Sequence, residues 1–346
     1  MNQGSMNQKD NCSKAKNNQT DDGINARLAQ FQNGFDIVSL KPPFPRLLSI
    51  DTTNACNYSC IFCPKSKLPK MNDVMDYTLF KNIVSEAFDL ECEEVGLSIY
   101  SKPLMNVNID KYVAFCKSVG YTYVYFTTNG SLLTTEKAEK LIDAGLDSIR
   151  VSVNSTKEKY SLIHGTPSND YYDRVIKNII EFDRIRKEKK SKCKLYVSIT
   201  TIKNTLEDVE SIKKTLQPYT DEFVVCGANN RGGTIGEAEI LFQTEGKLTY
   251  GYPCFPLFNK IDVSVEGYVV TCCIDFQNMT VMADLKQSTL KEAWECENFV
   301  NYRKNTLIMI LKGHFVKTAI QANTIQSFLL LQMLFTINMM KSGYKN

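Results

Sequence analysis

Residues 54–64 read Asn54-Ala55-Cys56-Asn57-Tyr58-Ser59-Cys60-Ile61-Phe62-Cys63-Pro64, a C-x3-C-x2-C run that follows directly on an apolar, strand-like segment at 46–52. Three thiolates this close together can face one metal centre, but three is the wrong number for a closed site. Structural zinc takes four ligands in a tetrahedron, and a cubane iron–sulfur cluster takes one per iron. One iron is therefore left open, where a small molecule can coordinate and receive an electron. The competing reading is a zinc knuckle completed by a remote ligand. The chain has only two histidines, His164 and His314, so a Cys3His site has few candidates.

This spacing, with the aromatic Phe62 just before the last cysteine, resembles the signature of the radical S-adenosylmethionine (SAM) enzymes. The resemblance implies an α/β fold, a partial (β/α)6 radical SAM barrel, with a [4Fe-4S] cluster on Cys56, Cys60 and Cys63. It also implies that SAM coordinates the open iron through its amino and carboxylate groups. One electron from the reduced cluster then cleaves the carbon–sulfur bond of SAM, and the 5′-deoxyadenosyl radical takes hydrogen from an unactivated carbon. Sugars, small metabolites and peptide or protein side chains are the implied substrates, and an external electron donor such as flavodoxin or ferredoxin is the implied partner.

Composition is that of a globular protein: 43% apolar and 23% charged residues in a chain of 346, enough for one large domain and an appendage. A net charge of +3 argues for neither nucleic acid nor an anionic membrane. Residues 1–22 are polar and lack an apolar signal-peptide core, so a reducing, cytoplasmic setting is expected. In that setting the clustered members of the 12 cysteines turn toward metal rather than cross-links. Cys12, Cys92, Cys116, Cys193, Cys226 and Cys296 have no partner at short spacing and read as small packing residues.

Residues 1–40 read as a polar, disordered lead. The barrel is expected over 41–235, because strand-like segments at 47–52, 94–99, 122–127, 148–153, 194–201 and 222–226 alternate with helical patterns at 77–90, 108–119, 134–144, 171–187 and 206–216. That order calls for a parallel sheet with right-handed crossovers, whose active site gathers at the carboxyl ends of the strands. Thr127-Thr128-Asn129-Gly130 resembles the family's T-N-G segment, which places Asn129 under bound SAM; as structure alone it is a turn followed by the helix cap Thr134. The strand at 148–153 resembles the family's G-L-D-x-I-x-x-S segment, with Ser152 and Asn154 on one face by the period of two and a ligand before them. One departure stands out. Where the family usually has an acid to hold the amino group of SAM, this chain has Tyr100-Ser101-Lys102-Pro103. A lysine beside a cationic ligand is unfavourable. Either the backbone carbonyls of Tyr100 and Ser101 hold SAM while Lys102 turns away, or SAM binding is weakened.

Over 236–305, Cys254 and a hairpin ending in Cys272-Cys273 resemble the SPASM domain, a small β-hairpin plus helix that holds an auxiliary [4Fe-4S] cluster. The resemblance makes Cys254 and Cys272 its ligands, with Asp275, a helix over 288–294 and Arg303 in support. The family's terminal C-x2-C is missing. Residues 306–346 change texture, being apolar and nearly acid-free. Reverse-translated from His314 and read in another frame, they can encode Phe-Cys-Lys-Asn-Cys, so the tail is either a frame-shifted domain end or a short membrane or partner helix. A cluster-binding relic without activity, and a zinc-binding module, stay open as further readings.

Overall fold

A computed structural model describes residues 39–228 and 256–309. The sequence expectations for the lead up to residue 38, for Cys254 and for the tail beyond 309 lie outside the described residues. Among the described residues no helix is long and apolar enough to cross a membrane.

The first six strands are β1 (Leu47–Ile50), β2 (Glu94–Gly96), β3 (Tyr123–Thr128), β4 (Ser148–Ser152), β5 (Lys194–Thr201) and β6 (Glu222–Gly227). Between them run α1 (Tyr77–Asp89), α2 (Ile109–Val119), α3 (Thr135–Asp143), the short α4 (Tyr160–His164), α5 (Asp170–Glu188) and α6 (Asp208–Leu216). Adjacent strands pair in parallel from β1 to β6, as the strand–helix alternation requires. Alternation within each strand then sorts the two faces. Leu48, Ile50, Val95, Val124, Phe126, Ile149, Val151, Leu195 and Val197 are sealed under Phe80, Val113, Ile179 and their helical neighbours. Ser49, Tyr125, Thr127, Arg150, Ser152 and Ser198 occupy the other face, the barrel interior, where most are half-buried. Local chemistry starts the helices: the Asp76 carboxylate accepts from Leu79 N (2.8 Å) and the Thr134 hydroxyl from Lys137 N (3.3 Å).

After residue 255 the chain forms α7 (Pro256–Asn259), β7 (Lys260–Val263), β8 (Tyr268–Val270), β9 (Val281–Asp284), α8 (Leu290–Glu295) and α9 (Glu297–Met309). The hairpin turns at Gly267, whose φ of +89° suits glycine. Its placement differs from that of a separate lobe. β7 pairs in parallel with β1, so the nine strands form one sheet in the order β6-β5-β4-β3-β2-β1-β7-β8-β9. α8 and α9 pack under the chain entering β1: Trp294 Nε1 donates to the carbonyls of Pro42 (3.0 Å) and Pro43 (3.1 Å). α9 continues past residue 305, where the composition changes, and Leu307 is buried.

Candidate functional site

Beyond β1 the chain enters the cysteine loop at the carboxyl end of the sheet, and the loop is fastened from three directions. Ser59 N donates to His164 O and Ile61 N to Ile163 O, both at 3.1 Å, so its middle is laddered onto the last turn of α4. Gly165 ends that helix at φ +61°, and a Cβ there would sit 2.3 Å from Ser59 O. The site therefore demands glycine on both conformational and steric grounds. On the second side, Asn129 Nδ2 donates to Asn57 Oδ1 (2.8 Å) and Asn57 Nδ2 to Ser131 Oγ (2.9 Å). Asn129 Oδ1 accepts from Ser131 N (3.1 Å) and Oγ (2.9 Å). Near its start, Thr53 Oγ1 donates to Asp73 O (2.7 Å) and accepts from Ala55 N (3.1 Å).

Within this frame Cys56, Cys60 and Cys63 are half-buried thiols, none of them in a disulfide. Cys63 N donates to Cys60 O (3.0 Å), closing the C-x2-C turn before the 3-10 turn Pro64–Lys67. Burial pushes the Cys60 thiol well above its ordinary range, and the nearness of Cys63 and Cys56 adds to the rise. Mutual repulsion of this kind means that three thiolates need a cation among them. Among the described residues no three ligating side chains converge tightly enough for a single metal ion. A cubane spreads its thiolates over separate irons, and three soft sulfur donors on one fixed loop fit it.

His164 is the neighbour that sequence reasoning passed over except as a zinc candidate. It is buried, with Nδ1 3.6 Å from Cys60 Sγ and Nε2 accepting from Asn154 N at 3.3 Å. Its ring stacks on Tyr160 at 4.1 Å and meets the Tyr58 ring edge-on at 5.6 Å. Burial, with Lys102 adding to it, pushes its pKa down to about 3, so the imidazole is neutral. Asn154 Oδ1 in turn accepts from Thr200 N (2.7 Å). The side chains of Asn129 and Asn154 are thus committed to fixing the loop and its neighbours. Ser152 shares a hydrogen bond with Ser198 Oγ (3.1 Å) on the interior face, one step along from Arg150, whose Nε donates to Thr127 Oγ1 (3.0 Å).

The segment after β2 is organised by Asp51 at the end of β1. Its buried carboxylate accepts from Ile99 N (2.8 Å), Tyr100 N (3.1 Å) and Ser101 Oγ (2.7 Å). Burial raises the Asp51 pKa, and these same bonds oppose the rise. An acid does serve this segment, supplied from β1 rather than at position 102. Lys102 does not turn away from the cysteine loop. Its N–H donates to Ala55 O (3.0 Å), and its charge is felt at Cys60, Lys65 and His164. Lys65, partly buried and bonded to Asn54 O, stands near Cys56, Cys63 and Asp51, so two cations flank the thiols.

Tyr100 points the other way, toward the hairpin region. Its hydroxyl donates to Cys272 O (2.7 Å) and its ring lies 4.8 Å from that of Phe276. Cys272 is half-buried and Cys273 exposed. The turn that carries them is shaped by Asp275, whose carboxylate accepts from Met279 N (2.8 Å), Thr280 N (2.6 Å) and Thr280 Oγ1 (2.7 Å). Behind them the buried Arg303 lies over the Trp294 ring at 3.9 Å, with Nε donating to Leu257 O (2.9 Å) and Nη1 to Trp294 O (3.0 Å).

A parallel strand–helix sheet whose first strand delivers three thiols into one loop at its carboxyl end defines a cluster-binding barrel. The chain belongs to the radical SAM superfamily: residues 50–216 match its family model, and residues 254–312 match that of SPASM, an iron–sulfur cluster-binding domain. The radical SAM domain implies a [4Fe-4S] cluster and SAM as cofactors, and the SPASM match points to an auxiliary iron–sulfur cluster. A probable GTP 3′,8-cyclase of Methanothermobacter marburgensis is 35% identical over 129 residues, which are 37% of this chain and 41% of that relative. The chain thus spans about two fifths of the length of the archaeal relative it matches. The S-adenosyl-L-methionine-dependent 2-deoxy-scyllo-inosamine dehydrogenase of Niallia circulans is 21% identical over 281 residues, 80% of this chain and 91% of that one. Among solved structures, Streptococcus suis SuiB bound to its precursor peptide SuiA has the same fold, with a TM-score of 0.62 at 17% identity over 80% of this chain and 70% of that one.

Proposed function

We propose that the protein is a radical SAM oxidoreductase or modifying enzyme whose first cluster sits on Cys56, Cys60 and Cys63 and whose substrate enters the polar barrel interior. The cysteine loop, fastened to α4 and to Asn129, is the observation that carries this reading. When bound, the cluster supplies one electron to cleave SAM, and the radical so released takes a hydrogen atom from the substrate. The chain's own part is to bind, orient and exclude water. Lys65 and Lys102 offset the negative charge of a thiolate-ligated cluster, which makes electron uptake easier. The carbonyls of Tyr100 and Ser101, held in place through Asp51, would take the amino group of SAM, and the charge of Lys102 beside the cysteine loop weakens that hold. Asn129, Ser152 and Asn154 border the cofactor at the strand ends, Asn129 and Asn154 as positioning groups and Ser152 with a hydroxyl on the interior face.

A sugar or small polar metabolite is the substrate class that suits an interior lined by Thr127, Arg150, Ser152 and Ser198. The dehydrogenase relative, matched over most of its length, acts on a compound of that kind by its name and supports the choice. A peptide substrate, as in the complex of SuiB, is the second reading, favoured by the shared SPASM region. Cys254 and Cys272 belong to the auxiliary cluster on this reading. A low-potential cluster also needs a one-electron donor, for which flavodoxin or ferredoxin is suitable, and the reducing cytoplasm is the matching compartment.

The test is anaerobic reconstitution and reduction. The wild-type chain should take up roughly four irons at the first site and release 5′-deoxyadenosine from SAM, and Cys60→Ala should lose both. Equal deoxyadenosine from Cys60→Ala and wild type would overturn the assignment.

A further inference from the structure

The imidazole of His164 lies between the end of β4 and the cysteine loop, and its two nitrogens have different neighbours. Nε2 faces the backbone N–H of Asn154 at 3.3 Å, and an N–H can only donate. Nε2 must therefore carry its lone pair, and in a neutral ring the proton then sits on Nδ1. Nδ1 is 3.6 Å from Cys60 Sγ. The opposite tautomer would set two N–H groups against each other at Asn154 and is excluded on that ground. We propose that His164 is a positioning and tuning residue for the first cluster, donating Nδ1–H to the sulfur of Cys60 and thereby raising the reduction potential of the cluster. The inference rests on the assignment of the cluster to Cys56, Cys60 and Cys63 made above.

Three features hold the donor in place. The Asn154 side chain is pinned by Thr200 N at 2.7 Å, so the N–H that fixes the tautomer belongs to a residue fastened across β4 and β5. The ring is clamped by Tyr160, at 4.1 Å and 24°, and by the edge of Tyr58. The backbone carbonyl of His164 accepts from Ser59 N at 3.1 Å, so the residue grips the cysteine loop by main chain and side chain together. His164 is buried away from water, which makes the hydrogen bond stronger than it would be at the surface. A donor to a ligating thiolate withdraws electron density from the iron and stabilises the reduced form most, because that form carries the extra negative charge. The family's open iron must accept an electron from a biological donor, and this bond moves it toward that range.

The experiment uses the full chain with its first cluster reconstituted and no SAM added, titrated potentiometrically and followed by electron paramagnetic resonance. His164→Phe keeps a ring against Tyr160 but has no N–H. Its reduced-to-oxidised ratio at a fixed solution potential should fall about tenfold, the effect of losing one charge-assisted hydrogen bond, which is a downward shift of ~59 mV for one electron. His164→Gln, which restores an N–H donor, should recover most of that shift. A His164→Phe protein with full iron content and an unchanged potential overturns the proposal while leaving the cluster assignment intact. Wild-type protein that never takes up iron instead indicts the assignment. Where neither variant retains iron, pulsed resonance on 15N-histidine-labelled His314→Gln protein decides. A weak nitrogen coupling to the reduced cluster supports the hydrogen bond. No coupling, or the strong coupling of a direct ligand, overturns it.

Discussion

The loop of Cys56, Cys60 and Cys63 and the turn of Cys272 and Cys273 are held by different kinds of bond. The first hangs on main-chain hydrogen bonds to another element, Ser59 and Ile61 onto α4, with an asparagine network beside it. The second is shaped by side chains: Asp275 folds the turn, Tyr100 ties it to the barrel, and Arg303 supports the helices behind it. Main-chain bonds survive most substitutions and fail only where the backbone path itself is disturbed. Side-chain bonds fail one residue at a time. The path of the core loop should therefore withstand single side-chain truncations better than the hairpin turn does, with Gly165 as its weak point.

The largest effect is expected at Arg303. Its guanidinium donates to Leu257 O, Trp294 O and, at 3.3 Å, Leu40 O, while sandwiched against Trp294 and Phe299 at 3.9 and 4.2 Å. Arg303→Ala leaves those carbonyls and a cavity without compensation, a loss of about 3–5 kcal/mol. Hydrogen exchange should accelerate in β8, β9, α8 and α9 and much less in β2 to β5, and iron at the first site should persist. Equal loosening of both regions would show that the continuous sheet, through the pairing of β7 with β1, transmits the damage and makes the two regions one unit.

Gly165→Ala strikes the core site instead. The new Cβ would meet Ser59 O at 2.3 Å, and the φ of +61° is itself unfavourable for alanine. The strain is ~2–3 kcal/mol, concentrated on the loop that places Cys60. Reconstituted iron at the first site should fall severalfold while the hairpin region keeps its exchange protection. Iron uptake equal to that of wild type would mean that the ladder to α4 does not set the spacing of the thiols.

What was legible in the sequence follows the same division. The six barrel strands and five of their helices were readable to within a few residues, because alternation on β3 and β4 and the capping residues Asp76 and Thr134 are local signals. The C-x3-C-x2-C loop was legible for the same reason. The helix α4 was not, since Tyr160–His164 is too short to show a helical period. His164 and Asp51 escaped as well, because their partners lie 104 and about 50 residues away. The parallel pairing of β7 with β1 joins residues more than 200 positions apart, beyond what a hairpin pattern conveys. The turn motif marks Asn129, but it gives no hint that its amide is also committed to Asn57 and Ser131.

Tyr100 spans the two regions and gives the smallest and sharpest test of their independence. Its N–H bonds Asp51 on the barrel side, at 3.1 Å, and its hydroxyl donates to Cys272 O on the hairpin side, at 2.7 Å. Tyr100→Phe removes the hydroxyl alone, keeping the backbone bond and the ring against Phe276. Cys272 O still accepts from Asp275 N at 3.1 Å, so no buried carbonyl is orphaned, and the loss is about 1 kcal/mol. The hairpin turn, released from the barrel, should expose its sulfurs more often. Maleimide labelling of Cys272 and Cys273 in the metal-free chain should quicken a fewfold, with the labelling rate of Cys56, Cys60 and Cys63 unchanged. Acceleration at all five thiols would mean that Tyr100 stabilises the Asp51 segment and, through Lys102 N and Ala55 O, the core loop itself. The two sites would then be one mechanical unit rather than two.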